Sequence, residues 1–247
     1  MTPATPSDAL RALHSGRAAD DPLVVPGPWD AASARVFERA GFPTLATPSA
    51  GIAASLGYED GETPPEEMFA AVARVVRAVS VPVTADLEDG YGLPPKELVA
   101  RVLETGAAGM NLEDSGRSGG LKDPREHAAW LAEVRAAAGP GLFLNARVDT
   151  YVRGVDDAEA AIERARLYAA AGADCVYPIK APTAHLPLLR AELDAPLNVL
   201  SLPDGPSPAE LGRLGAARIT FGHGLLLRTL RGVAELAEGL GGFRLPG

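Results

Sequence analysis

The sequence predicts an α/β protein that folds as a single-domain (β/α)8 TIM barrel, and three observations lead to this prediction. Eight short runs of apolar and β-forming residues alternate with longer, alanine-rich stretches of helical character. Several of these stretches begin with helix-capping residues, and many run into a glycine shortly before the next apolar run. The length of 247 residues is usual for one such barrel.

The predicted strands follow one another at regular intervals along the chain. They are Leu23–Pro26, Thr44–Thr47, Val83–Glu88, Gly109–Glu113, Leu142–Asp149, Cys175–Ile179, Leu197–Leu200 and Arg218–Phe221. Strands that alternate with helices favour parallel βαβ units. The first strand ends in Pro26-Gly27-Pro28-Trp29-Asp30, which is not the glycine-rich turn of a dinucleotide-binding sheet. Eight units without that turn favour a closed barrel over an open sheet.

The helical stretches carry signals at both of their ends. A polar cap, a proline or neutral residue, and a glutamate at the third helical position predict a helix start. Four segments fit this pattern: 63–66, 123–126, 156–159 and 207–210. Glycines that can end a helix stand at Gly41, Gly106, Gly139, Gly172 and Gly215.

The domain prediction covers residues 1–247 as one barrel, with a short N-terminal segment (1–20) and a C-terminal helical tail (223–247). Within the N-terminal segment, Leu10–Arg17 is interpreted as a helix that plugs the bottom of the barrel.

Composition restricts the partners of the chain. A formal net charge of −9 leaves no basic stripe for nucleic acid or an anionic membrane, so we expect a small-molecule substrate. No apolar run approaches the roughly 18 residues of a membrane span. The single cysteine, Cys175, excludes an intrachain disulfide, fits a cytoplasmic location, and is interpreted as a small buried apolar residue.

Carboxylates are concentrated where the third strand ends. Asp86 and Glu88 alternate with Leu87, so both acids point to the barrel mouth if Leu87 packs toward the helices. Two acids this close need a raised pKa or a cation between them, and Mg2+ suits one or two carboxylates together with water and substrate oxygens. Capping of the next helix, or pairing with arginine, is the alternative interpretation.

The next two strands bring further polar residues to the same edge. Glu113 ends the fourth strand and is a candidate ligand of the metal through water, or a loop carboxylate paired with Arg or Lys. On the fifth strand, Asn145, Arg147 and Asp149 share one face. Arg147 can bind a substrate carboxylate or oxyanion through its planar fork, or pair internally with Asp149 or Glu113, and these roles are compatible.

Four motifs in this order resemble the isocitrate lyase and phosphoenolpyruvate mutase superfamily. They are residues 48–61 (PSAGIAASLGYEDG), 85–92 (ADLEDGYG), 111–114 (NLED) and 145–149 (NARVD). The resemblance extends from about Val25 to Gly224. It implies a Mg2+-dependent enzyme, with Mn2+ as a possible substitute, that acts through an enolate, and it implies a homodimer or homotetramer.

The resemblance also implies roles for individual residues. Ser49, with the backbone amides of Ala50 and Gly51, is expected to hold the substrate carboxylate, although a turn hydroxyl is the alternative for Ser49. Asp60 is expected near the metal and the reacting carbon. Asn198 is similar to a substrate-binding asparagine of the family, or else is a buried amide that bridges loops.

Asp86 and Glu88 occupy the metal-binding aspartate positions of the family, with Glu in place of the second Asp. The catalytic set predicted from the resemblance is Asp60, Glu113 and Arg147, of which Arg147 also contacts the substrate.

The sequence departs from the family in the loop that follows Glu113. Lyases of the superfamily carry a Lys-Lys-Cys-Gly-His type loop there, whereas this chain has neither cysteine nor histidine between Asp114 and Lys122. We therefore expect a carbon–carbon lyase without the cysteine acid, acting on a small 2-oxo acid or a 2-hydroxy di- or tricarboxylate. A hydrolase or mutase of the oxaloacetate or phosphonopyruvate type, or a non-catalytic oxo-acid-binding barrel, is the alternative. The glycine-rich loop from Ser115 to Lys122 is expected to be a lid over the metal.

Overall fold

A computed structural model describes residues 5–116 and 119–240 of the chain. The described ranges contain eight strands, and each lies within one of the predicted runs. The strands are Leu23–Val24 (β1), Leu45–Thr47 (β2), Val83–Asp86 (β3), Gly109–Glu113 (β4), Phe143–Val148 (β5), Cys175–Pro178 (β6), Asn198–Leu200 (β7) and Arg218–Thr220 (β8). The strand prediction is confirmed, with ends shortened by up to two residues.

Helices connect and surround the strands. They are Pro6–His14 (α1), Ala31–Arg39 (α2), Ser49–Leu56 (α3), Pro65–Val76 (α4), Pro95–Thr105 (α5), Pro124–Ala138 (α6), Ala158–Ala170 (α7), Leu186–Glu192 (α8), Pro208–Arg213 (α9) and Gly224–Leu240 (α10). A 3₁₀ helix, Thr183–His185, precedes α8. The described part of the predicted C-terminal tail is α10, and residues 241–247 lie outside the described ranges. No helix among the described residues is long and apolar enough to span a membrane.

All strand pairs are parallel, and together they form a (β/α)8 barrel. One run of pairs has the order β2-β3-β4-β5-β6, and the other has the order β1-β8-β7. A bridge between Val176 and Leu197 joins β6 to β7. The two runs also meet on their other side, where the Ala46 amide donates a hydrogen bond of 3.0 Å to the Pro26 carbonyl. The predicted fold class is therefore confirmed.

Two of the predicted helix starts are formed as the sequence indicates. The Asp123 carboxylate accepts hydrogen bonds from the amides of Arg125 and Glu126 and caps α6. Ser207 and Glu210 form a reciprocal capping box at the start of α9. The glycines predicted at helix ends all have positive φ, from 52° at Gly139 to 116° at Gly215.

The other two predicted helix starts are one residue too early. The cap of α7 is Asp157, not Asp156, and its carboxylate accepts the Glu159 amide. The residue before α4 is Pro64, which makes no side-chain cap, while the predicted cap Thr63 lies one position further out. Two successive prolines at this point favour the extended backbone before the first turn, so a side-chain cap is not needed to start the helix.

Helix α1 closes the barrel at the amino ends of the strands, although it spans Pro6–His14 and not the predicted Leu10–Arg17. Leu10 is fully buried against Ala108, Phe143 and Cys175, which lie at or next to the first residues of β4, β5 and β6. Arg11 fixes the helix to the barrel because its guanidinium donates hydrogen bonds to the Leu142 carbonyl and to loop groups nearby. The carboxyl ends of the strands are thus the open end.

We predict that Leu10→Ala lowers the free energy of unfolding by about 2–5 kcal/mol, because it leaves a cavity under the barrel. Urea denaturation of the purified protein measures this change. The matched control is Leu188→Ala, since Leu188 is 40% exposed and its truncation leaves no closed cavity. Equal destabilisation by the two substitutions would contradict the role of Leu10 as the centre of the plug.

Candidate active site

Arg147 is the centre of a cluster of charges at the open end of the barrel. It lies near the end of β5, and its Cα is paired in register with that of Glu113 on β4. One guanidinium nitrogen is 2.7 Å from a Glu113 carboxylate oxygen and 3.7 Å from one of Asp86. The structure therefore brings together the fixed cation and two of the three predicted metal-site acids.

Asp149 holds the other side of the Arg147 guanidinium. The Arg147 Nε and NH2 groups donate to the two Asp149 oxygens at 2.6 and 2.9 Å, which is a bidentate pair. Both internal ion pairs considered from the sequence, with Asp149 and with Glu113, are thus present at once. The guanidinium is fixed on two sides, and its plane is fixed with it.

Asp149 is itself held from two directions. The Ser115 hydroxyl donates to Asp149 Oδ2 at 2.5 Å, and the Asp149 amide donates to Asp114 Oδ1 at 2.8 Å. The Arg153 Nε group in turn donates to the Ser115 hydroxyl at 2.9 Å. Both oxygens of this buried carboxylate bind Arg147, and its other contacts hold it in place, so Asp149 is a positioning group.

Asp86 ends β3 and is linked to the start of α3. The Ser49 hydroxyl donates to Asp86 Oδ2 at 3.2 Å, and Ser49 is the first residue of α3. The amides of Ala50 and Gly51 therefore belong to the first turn of a helix, where backbone N–H groups have no partner within the helix and favour anions. Gly51 also lies tightly against Pro48, because a Cβ at this position would be 2.8 Å from the proline ring.

Glu88 lies at the same end of the barrel as Asp86, as predicted, but its backbone conformation differs from the predicted strand. The strand ends at Asp86, and Glu88 has a left-handed backbone with φ of 53°. The alternation argument for Glu88 is therefore wrong, because a turn and not a strand sets its direction. Its carbonyl accepts the Glu113 amide at 2.8 Å, and its amide donates to Asp86 Oδ1 at 3.4 Å. Leu87 packs in the main core as expected.

Burial and repulsion shape the protonation of the acids. Burial raises the pKa of Glu113 to about 8 against the attraction of Arg147, and the carboxylates of Asp149, Asp86 and Glu88 raise it further. Burial also raises the pKa of Asp86, which Arg147 opposes. The same carboxylates raise the pKa of Arg147, although its burial has the opposite effect, so the guanidinium stays charged. The cluster holds more negative charge than Arg147 can offset.

The donor set fits a hard divalent cation. Within the described ranges, no three His, Cys, Asp or Glu side chains are already arranged as a metal site. Mg2+ needs only one or two carboxylates and completes its shell with water and substrate oxygens. The raised pKa values of Asp86 and Glu113 indicate that a positive charge beside them would be stabilising.

Two predicted site residues are less closely associated with this cluster. Asp60 lies on the exposed connection between α3 and α4, and its charge contributes to the raised pKa of Asp86. Asn198, at the start of β7, is fully buried, and its amide nitrogen donates to the Thr220 hydroxyl at 3.1 Å. Asn198 thus joins β7 to β8 inside the barrel; it is a buried amide, as in the alternative interpretation, but it bridges strands and not loops.

Sequence reasoning assigned no role to three interior residues next to the cluster: Tyr177, Thr220 and Arg218. The Thr220 hydroxyl donates to the Tyr177 hydroxyl at 3.2 Å, and Arg218 is fully buried two residues before Thr220. Their signal lies in the strand register and not in the sequence, since Tyr177 is paired with Arg147 and Arg218 with Asn198. They were passed over because tyrosine, threonine and arginine on short strands are also ordinary surface residues.

The base of the predicted lid is tied to the site. Ser115 and Leu121 form an antiparallel bridge, and the Lys122 amide donates to the Asp114 carbonyl. Lys122 Nζ lies 3.4 Å from the Glu113 carbonyl and 5.6 Å from the Trp130 ring centre. Positions 117 and 118 of this loop lie outside the described residues. The lid therefore stays a prediction.

Cys175 has the environment expected of a structural residue. Its side chain is fully buried at the start of β6, and burial raises the pKa of its thiol to about 12. A thiol with such a pKa is a poor acid or nucleophile at neutral pH.

The sequence profile of the family described as phosphoenolpyruvate phosphomutase matches residues 10–240. This match covers nearly the whole chain. The chain belongs to this family. The resemblance seen in the four motifs is thereby confirmed, and with it membership of the phosphoenolpyruvate mutase and isocitrate lyase superfamily.

Curated relatives of the chain include proteins of known and of unknown activity. An uncharacterised protein of Mycobacterium tuberculosis is 36% identical over 203 residues, which are 81% of this chain and 78% of the relative. The oxaloacetate decarboxylase of Rhodopseudomonas palustris is 33% identical over 219 residues, 83% of this chain and 72% of that enzyme. Relatives named 2-methylisocitrate lyase are 31% to 33% identical.

Solved structures agree with the barrel. The crystal structure of a candidate phosphonomutase from Burkholderia cenocepacia J2315 superposes with a TM-score of 0.88 at 39% identity, over 95% of this chain and 98% of that one. The family comprises lyases and mutases, which supports an enzyme.

We predict that Glu113 makes the metal-free protein less stable as the pH rises. Because its folded pKa of about 8 lies above the ordinary 4.5, the folded state holds a proton that the unfolded state has lost. The stabilisation is complete below about pH 4.5 and is lost as the pH rises through 8. Glu113→Gln should therefore flatten the decline in the free energy of unfolding between pH 5 and 8.

Urea denaturation at several pH values in the presence of a chelator measures this slope. Glu104→Gln, on the exposed side of α5, is the matched control and should keep the wild-type slope. Parallel slopes for wild type and Glu113→Gln would show that Glu113 is not the group that takes up the proton.

Proposed function

We propose that the protein is a Mg2+-dependent carbon–carbon lyase that acts on a small 2-oxo acid, or on a 2-hydroxy di- or tricarboxylate, through an enolate. The observation that carries the proposal is the fixed Arg147 guanidinium, held by Asp149 and facing Glu113 and Asp86 at the open end of the barrel. This arrangement places one oriented cation, the Arg147 guanidinium, beside an acidic cluster that can bind a second cation, the metal ion.

In the proposed site, Asp86 and Glu88 hold Mg2+, and Glu113 holds its water ligands. When bound, Mg2+ supplies Lewis-acid stabilisation of the negative charge that develops on the 2-oxo group. Mn2+ is the expected substitute. The raised pKa values of Asp86 and Glu113 support this assignment, because a cation replaces the protons that these acids otherwise retain.

The chain's own residues orient the substrate. Ser49 and the amides of Ala50 and Gly51 are proposed to bind its carboxylate, since the first turn of α3 presents free N–H groups beside Asp86. Arg147 is proposed to bind the oxygen of the oxo group and to stabilise it as charge develops. Its clamp by Asp149 removes the cost of orienting the guanidinium during the reaction.

Two assignments from the resemblance complete the site. Asp60 is proposed to approach the reacting carbon from the connection between α3 and α4. Asn198 is proposed to contribute to substrate binding from β7, since the bond of its amide nitrogen to Thr220 leaves its second N–H and its oxygen for a further partner.

The residues of the loop after Glu113 bear on which reaction we propose. Without cysteine or histidine between Asp114 and Lys122, decarboxylation or retro-aldol cleavage is favoured over the cysteine-acid reaction of isocitrate lyases. The similarity to an oxaloacetate decarboxylase supports the first of these. Turnover assays with oxaloacetate, 2-methylisocitrate, malate analogues and phosphonopyruvate, each with and without Mg2+, separate lyase from hydrolase and mutase. Absence of turnover with all of them would favour the non-catalytic oxo-acid-binding barrel.

We predict that Asp86→Asn abolishes Mg2+-dependent turnover while the protein stays folded, because the variant keeps the shape of the residue and loses the negative charge. Turnover is measured with the best substrate of that screen, and Mg2+ binding by calorimetry. Asp204→Asn, on the exposed loop before α9, is the control and should behave like wild type. Wild-type turnover and Mg2+ affinity in Asp86→Asn would remove Asp86 from the metal site.

We also propose a homodimer or homotetramer. Helix α10 carries an exposed apolar stripe, which a second subunit is expected to cover. Its members and their exposed fractions are Leu227 (44%), Leu230 (48%), Val233 (53%), Leu236 (70%) and Leu240 (64%). Neither nucleic acid nor a membrane is a proposed partner, because the formal net charge is −9.

We predict that the double substitution Leu236→Glu and Leu240→Glu shifts the protein toward a monomer, because it puts two charges into the proposed contact. Light scattering coupled to size-exclusion chromatography measures the molar mass. Glu235→Gln, on the same helix, is the control. A wild-type protein that is already monomeric at micromolar concentration would refute the oligomer.

A further inference from the structure

A chain of hydrogen bonds crosses the inside of the barrel and ends beside Arg147. The Asn198 amide nitrogen donates to the Thr220 hydroxyl at 3.1 Å, and the Thr220 hydroxyl donates to the Tyr177 hydroxyl at 3.2 Å. All three side chains are at least 94% buried. The Cα atoms of Tyr177 and Arg147 are partners in the register of β5 and β6. The chain thus links β7, β8 and β6 to the proposed active site.

The donors in this chain determine where the last hydrogen can go. The Thr220 oxygen receives the amide hydrogen of Asn198, so its own hydrogen is directed at Tyr177. The Tyr177 oxygen accepts that bond, and no acceptor for its own hydrogen occurs among the described residues. A buried hydroxyl donor without an acceptor is costly, and a ligand oxygen or carbon at the site can supply one.

Two guanidinium groups lie close enough to influence Tyr177. Burial raises the pKa of Tyr177 to about 12, while the bond from Thr220 and the charges of Arg147 and Arg218 oppose the rise. Arg218 is fully buried, and none of its three side-chain nitrogens has a hydrogen-bond partner within the described part of the chain. A buried cation without a partner is unusual because of its desolvation cost. It has a use here if a negative charge forms nearby during the reaction.

We propose that Tyr177 is the acid that protonates the enolate of the 2-oxo acid. This inference rests on the proposed function. When the carbon–carbon bond breaks, its electron pair enters the enolate. The Tyr177 O–H bond then gives its proton to the enolate carbon, and the carbon–carbon double bond supplies the electron pair of the new C–H bond.

The phenolate that remains is stabilised by the Thr220 hydroxyl and by the charges of Arg147 and Arg218. It recovers a proton from solvent water, which restores the resting state. Asn198 and Thr220 are then positioning residues, because they act through Tyr177 and transfer no proton in the net reaction.

The Cys175 thiol and the Lys122 ammonium group are less well placed for this step. The Cys175 thiol lies at the start of the same strand, beside the plug helix, with a pKa raised to about 12 by burial. The Lys122 ammonium group is directed toward the carbonyls of Asp89 and Glu113 and toward the Trp130 ring.

The test uses exchange of the methyl protons of pyruvate in D2O with Mg2+, followed by proton NMR, because this exchange requires proton transfer to and from the enolate carbon. Tyr177→Phe removes the proton and keeps the ring. We expect the exchange rate and kcat for the best substrate to fall about 100-fold or more, while KM and the affinity for oxalate change less than about threefold. Tyr151→Phe is the control, since within the described part of the chain the Tyr151 hydroxyl is hydrogen-bonded to the His185 ring.

A pair of substitutions at Thr220 tests the role of the hydrogen-bond chain. Thr220→Val keeps the shape and removes the donor to Tyr177, so exchange should fall about tenfold. Thr220→Ser restores the hydroxyl and should recover most of the rate. The thermal unfolding transition of Tyr177→Phe shows whether this variant folds. If it does not fold, the two Thr220 variants still test the role of Tyr177.

The outcomes separate the inference from the function on which it rests. Wild-type protein that neither exchanges pyruvate nor cleaves any substrate overturns both. Wild-type protein that turns over, with Tyr177→Phe exchanging pyruvate at the same rate, overturns the role of Tyr177 alone. A parallel loss of oxalate affinity in Tyr177→Phe would also overturn it, because the residue would then serve in binding.

Discussion

The site depends on one constraint, which is that the positive charge of the buried Arg147 guanidinium is balanced by the acids around it. Arg147 meets this requirement through Asp86 at the end of β3, Glu113 at the end of β4 and Asp149 directly after β5. None of these groups could stay charged and buried alone at an acceptable cost. The ends of β3, β4 and β5 are therefore held together by charge as well as by backbone pairing.

This arrangement also explains the layers of support behind the site. Asp114 is fully buried and accepts hydrogen bonds from the Tyr168 hydroxyl, an Arg164 nitrogen and the Asp149 amide. Its partners on α7 lie outside the barrel, while Asp149 faces the site. Residues of the surrounding helix α7 therefore help to fix the Arg147 guanidinium through Asp114 and Asp149. Substitutions well away from the proposed substrate site can thus alter its orientation.

Much of the fold could be predicted from the sequence because the local signals agree with each other. Strands, glycines and two of the four helix caps follow from short patterns that need no knowledge of distant contacts. The capping errors at Thr63 and Asp156 arose where neighbouring residues offered equivalent caps or prolines made a cap unnecessary. Glu88 was placed at the right edge for the wrong reason, because the strand stops two residues earlier than its pattern indicates.

The polar interior of the barrel was harder to predict. Tyr177 and Arg218 become notable only when their neighbours are known, since the hydrogen bond from Thr220 and the lack of partners for Arg218 are properties of distant segments brought together. The pairing of Arg147 with several acids at once was likewise open in the sequence, which supplied the candidates but not the distances. Contacts between strands, and not residue types, determine which interior polar groups pair with each other.

The closure of one barrel end by α1 has a consequence for how ligands enter and leave the site. Because Leu10 packs against the amino ends of the strands and closes that end, the barrel is open at the carboxyl ends of the strands. Under the proposed function, both products of a cleavage would therefore leave by the same end through which the substrate entered. A product that stays bound there would exclude the next substrate until it has left.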